Sequence, residues 1–89
     1  MINRDIKIIN KLGLHARAAA KFVTMASQYS SSVQLVLNGQ NINGKSIMGV
    51  MMLAASQGTE LTLVTDGEDE LSAMEALDEL IRNRFGEDE

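Results

Sequence analysis

Two adjacent residues, Asn38-Gly39, constrain the fold of this chain more tightly than any other pair. Asn-Gly is the strongest two-residue hairpin signal, because both central positions of such a turn need positive φ, which glycine adopts freely and asparagine tolerates. Ahead of it, Val33, Leu35 and Leu37 alternate as along a strand. Residues 40–43 are therefore expected to return antiparallel as a short third strand. A pair of this kind has one apolar face to cover, and the flanking segments must supply the cover.

Those flanks switch between the two periods that mark strands and helices. Ile2, Ile6 and Ile8 alternate with Asn3, Asp5 and Lys7 as a first half-buried strand that ends at Asn10-Lys11, and Gly13 then turns the chain. From Ala16 to Gln28 the period lengthens, with Ala19, Phe22, Val23 and Ala26 on one helical stripe, and Ser30-Ser31-Ser32 closes the helix. Gly44-Lys45-Ser46 breaks the third strand, and Ser46 is placed to cap a helix over residues 47–55 that Gly58 ends. Leu61 and Leu63 alternate with Thr62 and Val64 as a fourth strand. After Asp66-Gly67, the acids Glu68, Asp69 and Glu70 open a last helix where its dipole favours them, with Leu71, Met74, Leu77 and Ile81 toward the core. Gly86 to Glu89 is expected to fray. The order β-α-β-β-α-β-α predicts one α+β domain over residues 1–89, with helices on one face of an antiparallel sheet and the other face wet. It does not fix the strand order, since the ferredoxin-like split unit has a closely similar succession.

Charge and composition narrow the function. Twelve acids against eight bases give a net charge of −4, which argues against nucleic acid as the main partner. The acids concentrate in residues 66–70 and 87–89, whereas Lys11, Arg17, Lys21 and Lys45 are expected as a basic rim around the single histidine, His15. The chain has no cysteine and one histidine, so thiolate chemistry and zinc-thiolate sites are removed, only carboxylates at helix and chain ends are left to join the histidine on a metal, and neither a metal nor a cofactor is called for. No signal-peptide core or membrane-length apolar run is present, which reads as a cytoplasmic chain without membrane insertion.

The single histidine, His15, stands where a glycine turn enters an alanine-rich helix. Backbone N–H groups at a helix N-terminus attract anions, and Arg17 can add charge-assisted hydrogen bonds to phosphate oxygens. The same field disfavours the imidazolium, leaving a ring nitrogen with a free lone pair as nucleophile. A lone histidine can equally be an ordinary surface or capping residue. The helix after Ser46 is apolar nearly all round: Ile47, Met48, Val50, Met51, Met52 and Leu53 cannot all face inward in so small a domain. Ile47, Met48 and Met51 are read as a docking surface, against the alternative of a fully buried helix.

Gly13-Leu14-His15-Ala16-Arg17, together with Asn43-Gly44-Lys45-Ser46-Ile47-Met48-Gly49-Val50-Met51, resembles the histidine-containing phosphocarrier (HPr) family of the bacterial phosphoenolpyruvate-dependent phosphotransferase system. The likeness covers essentially the whole chain. It departs at one position, where the family usually has proline after the arginine and this chain has Ala18, which removes a fixed φ near the helix start. The resemblance implies an open-faced β-sandwich of four antiparallel strands with three helices on one face. It also implies that His15 takes a phosphoryl group on Nδ1 from enzyme I and passes it to enzyme IIA-type acceptors. Arg17 and the N–H groups of Ala16 and Ala18 would hold the phosphate. Ser46 matches a serine that some family members have phosphorylated by a dedicated kinase, HPr kinase/phosphorylase. On this reading the protein is a monomeric carrier rather than a stand-alone enzyme. A nitrogen-regulatory paralogue is the alternative within the family, and a non-catalytic protein-binding module with an incidental His15 is the alternative outside it.

Overall fold

The computed structural model describes residues 1–89 as β1 (Ile2–Lys7), α1 (Ala16–Ala26), β2 (Ser32–Leu37), β3 (Gln40–Asn43), α2 (Ile47–Met52), β4 (Glu60–Asp66) and α3 (Glu70–Arg82), closed by a left-handed turn at Arg84–Gly86. The strands form one sheet in the order β1-β4-β2-β3, with every neighbouring pair antiparallel. That order answers the question the element succession leaves open. β4 slots between β1 and β2, so the crossover through α1 spans a strand that is synthesised later.

The register explains why one face is dry. Ile6 lies opposite Leu61, Leu35 opposite Leu63 and Val33 opposite Thr65, and all six are buried. They meet Ala19, Phe22 and Ala26 of α1, Val50 of α2, and Met74, Leu77 and Ile81 of α3 in one hydrophobic cluster, with Thr65 beside it. Burying that apolar surface drives the assembly. The alternate positions carry Asp5, Lys7, Gln34, Asn41 and Thr62 on the uncovered face, where Thr62 Oγ1 donates to Asp5 Oδ1 at 3.1 Å. The fold is thus an open-faced sandwich of four antiparallel strands with three helices on one side, as the resemblance implied.

Local chemistry sets several joints. Asn38 and Gly39 both have positive φ, 52° and 79°, and connect Leu37 to its partner Gln40 in a two-residue turn. Ser46 caps α2 by accepting from the Gly49 N–H at 3.2 Å. Gly49 lets α2 lie close on β3, because a Cβ there would stand 3.0 Å from Ile42 Cγ2.

Four expectations need correction. α2 stops at Met52 instead of running to residue 55, since Ala54 turns left-handed (φ 51°) and Ala55 is drawn inward to accept the Leu14 N–H at 2.8 Å. Leu71 is exposed: at ~100° per residue it falls about 100° from the centre of the stripe made by Ala73, Met74, Leu77 and Ile81. Of the acids before α3, only Glu70 lies in its first turn. The tail does not fray but folds back, as described below.

Asp69 is used across the fold rather than along its own helix. Its carboxylate accepts from the Ser31 hydroxyl and from the N–H groups of Ser30 and Ser31, both at 2.9 Å, which ties the start of β2 to the start of α3. The Ser31 hydroxyl foremost, and then the Ser30 N–H, hold its pKa down at about 2, against an ordinary aspartate value of ~4. A depressed carboxylate contributes stability above its unfolded pKa that is lost as pH falls through the folded one. The melting temperature should therefore drop between pH ~4 and ~2 more steeply in the wild type than in Asp69→Asn; parallel acid limbs in a calorimetric series would remove Asp69 from this role.

Candidate functional site

The corner that presents His15 is built by close backbone packing. Gly13 adopts φ +66°, and a Cβ at this position would meet Ser56 Cα at 2.8 Å; only glycine allows both the left-handed turn and this approach. Leu14 is buried beside it and donates its N–H to Ala55 O. His15 then takes the N-cap position of α1 with an extended backbone (φ −72°, ψ 177°), and its carbonyl accepts the Ala19 N–H at 2.8 Å. Its side chain does not cap the helix. The N–H groups of Ala16, Arg17 and Ala18 consequently have no acceptor within the chain, the usual orphan donors of a first helical turn. They sit beside an imidazole whose Nδ1 is also unbonded. Ala18 points its methyl into the core, so a bound anion meets its N–H and not its side chain.

The guanidinium of Arg17 is exposed and makes neither an ion pair nor a hydrogen bond within the chain. It shares one concavity with Lys11, Leu12, Lys21 and residues 86–89. The expected basic rim is only partly realised. Lys45 is turned away, with its Nζ on Tyr29 O at 2.7 Å. Lys21 Nζ is engaged by Phe85 O at 2.7 Å and Lys11 Nζ by Glu89 at 3.3 Å. Arg17 is thus the cation of the rim without a partner in the chain.

The residues that sequence reasoning missed come from the C-terminus and from the end of the first strand region. Glu87 reaches His15 Nε2 with one carboxylate oxygen and accepts Asn10 Nδ2 at 2.9 Å with the other. Asn10 is fully buried and also bonds Gly13 O at 2.8 Å. The Asn10 hydrogen bond first, and His15 after it, hold the Glu87 carboxyl below the ordinary glutamate value, although partial burial opposes them. One sequence signal pointed this way: Phe85, one of only two phenylalanines, sits in an otherwise polar tail, where a large apolar side chain is best explained by docking.

α2 divides its apolar residues. Val50 and, just past the helix end, Leu53 are buried, while Ile47, Met48, Met51 and Met52 are exposed, Met48 to 70% and Met52 to 77%. Leu12 adds an apolar side chain that is 67% exposed at the His15 end. An uncovered patch of adaptable side chains is the mark of a contact surface. Ser46 lies apart from His15. The start of α2 is tied to the end of α1 through Lys45 and Tyr29, whereas the segment after α2 meets Gly13 and Leu14. The two helices run antiparallel, which puts Ser46 and His15 at opposite ends of α2, a six-residue helix about 9 Å long.

Residues 2–83 match the family model described as the PTS HPr component phosphorylation site. The chain is 58% identical over 89 residues to the phosphocarrier protein HPr of Cupriavidus necator, covering 100% of both. The crystal structure of HPr-C-His from Thermoanaerobacter tengcongensis superposes with a TM-score of 0.96 at 46% identity, again over 100% of both chains. A structure of the HPr dimer from the same organism gives 0.79 at 47% identity, over 98% of this chain and 100% of that one. The chain belongs to the HPr family, the phosphocarriers of the phosphotransferase system.

Proposed function

We propose that the chain accepts a phosphoryl group on His15 Nδ1 from phospho-enzyme I and hands it to enzyme IIA-type acceptors in sugar uptake. The observation that carries this reading is the grouping of a free Nδ1, three unpaired N–H donors and an unpaired guanidinium at one exposed helix start. In the forward step the Nδ1 lone pair forms a bond to phosphorus. The bond from phosphorus to the donor breaks, and its electron pair leaves with the donor. The protein's contribution is positioning and charge compensation, which is most of what phosphoryl transfer asks of a protein. Arg17 and the N–H groups of Ala16 and Ala18 bind the phosphate oxygens, strongly enough to hold the group and weakly enough to release it. With phosphoenolpyruvate as ultimate donor, the protein works in the cytoplasm, and as a single chain that offers one face to successive partners. Incubation with phosphoenolpyruvate and enzyme I tests the reading. An acid-labile phosphate that a IIA-type acceptor then removes is expected; a protein that gains none is a binding module instead.

The exposed side chains of α2 supply the docking surface, and Ser46 the means to regulate it. A standard interface covers roughly 800 Å² per partner, about 30 Å across, so one partner spans both ends of a 9 Å helix. A phosphate on Ser46 suits the N-terminus of α2 and leaves the fold intact. It obstructs docking, because a dianion beside Ile47 and Met48 must be desolvated against a partner shaped for apolar contact. Ser46→Asp and Met48→Ala should each lower the affinity for enzyme I several-fold without lowering the melting temperature. Calorimetric titrations that return wild-type affinity for both variants would make Ser46 a cap and nothing more.

A further inference from the structure

We infer that Glu87 is a positioning residue, which holds His15 as the Nε2–H tautomer and so keeps the Nδ1 lone pair aimed at the incoming phosphorus. The inference rests on the proposed carrier role of His15 and adds a residue to it.

The segment that delivers Glu87 is built for the purpose of reaching back. After α3 the chain reverses through three consecutive left-handed residues, Arg84 (φ 55°), Phe85 (φ 54°) and Gly86 (φ 80°). Left-handed conformations cost energy for residues other than glycine, and burial of Phe85 at 0% exposure offsets it. Lys21 Nζ holds Phe85 O, and the N–H groups of Gly86 and Glu87 close onto Asn83 O and Arg84 O, both at 2.9 Å. Glu87 emerges from this turn with its side chain only 14% exposed, against an imidazole that is 26% exposed.

The hydrogen-bond polarity is fixed by Asn10. Its Nδ2 donates to both Gly13 O and Glu87 Oε1, so the amide cannot be turned round without facing oxygen to oxygen. An ionised carboxylate only accepts. Its second oxygen, at His15 Nε2, therefore requires the ring proton on Nε2, and the lone pair falls on Nδ1. When Nδ1 bonds phosphorus the ring acquires positive charge while Nε2–H stays bonded to Glu87, whose negative charge faces it. A carboxylate behind a histidine serves tautomer and charge in this way in other catalytic settings.

Glu87→Gln distinguishes this from a structural contact. With its oxygen kept on Asn10 Nδ2, the new amide presents NH₂ to His15, which favours Nε2 as acceptor and moves the ring proton to Nδ1, the nucleophile itself. Glu87→Ala merely frees the ring to choose. The rate of phosphate uptake from phospho-enzyme I should fall on the order of 10- to 100-fold in Glu87→Gln, less than for an analogous change in a serine-protease triad, and clearly less in Glu87→Ala, with both variants melting near the wild type. ¹⁵N spectra of His15 in the unphosphorylated full-length chain give a readout that needs no transfer: Nε2–H is expected in the wild type and Nδ1–H in Glu87→Gln. An Nδ1–H wild type, or a Gln variant no slower than the Ala variant, overturns the inference. A wild type that takes no phosphate at all fails the carrier reading, while the spectra still decide the tautomer.

Discussion

Replacing Phe85 with Ala is expected to cost about 3–5 kcal/mol of stability, the usual range for deleting a buried phenylalanine. Its side chain is fully buried in the core cluster, and alanine gains nothing in return because the left-handed backbone at 54° disfavours any residue with a Cβ. A domain of this size has little reserve: at roughly 4–8 °C per kcal/mol the melting temperature should fall by about 12–40 °C. Phe85→Leu should lose much less, since it keeps most of the apolar volume. Thermal unfolding followed by circular dichroism makes the comparison, and a melting temperature within about 3 °C of wild type for Phe85→Ala would mean that the tail is not anchored. If the anchor is lost, Glu87 is withdrawn from His15 as well.

How far this chain could be read from its residues depended on how local the deciding interaction is. Asn38-Gly39 gave away its hairpin because the turn's needs are met by the two turn residues themselves. Ser46 was legible as a cap for the same reason: hydroxyl and acceptor position are three residues apart. The end of α2 was not legible. Nothing within residues 47–55 announces that Leu14 will claim Ala55 O, and an apolar run continues past the point where the helix stops. The tail was missed most completely, since Asn10 and His15 lie 77 and 72 residues before Glu87. Polar terminal residues predict fraying unless a distant partner is known. The shared position of His15 and Arg17 at one helix start is legible for the same reason, whereas that local logic misplaces Lys45, whose partner Tyr29 O belongs to the other end of α1.

His15→Ala should eliminate phosphate uptake altogether and change stability by less than about 1 kcal/mol, because this N-cap residue has no side-chain capping bond to lose. Its imidazole contacts Glu87 at a partly exposed corner, and Glu87 retains Asn10 in the variant. Uptake that persists in a folded His15→Ala protein would place the acceptor elsewhere, and a large loss of stability would make the histidine a structural residue.

The most direct measurement charges the wild-type chain with phosphoenolpyruvate and enzyme I, carrying ¹⁵N-labelled histidine, and reads the phosphorus–nitrogen coupling by NMR before the phosphate hydrolyses. One phosphate per chain, coupled to Nδ1 of His15, is the predicted result. Phosphate on Nε2, on Ser46 or on any other residue, or none at all, would contradict the account.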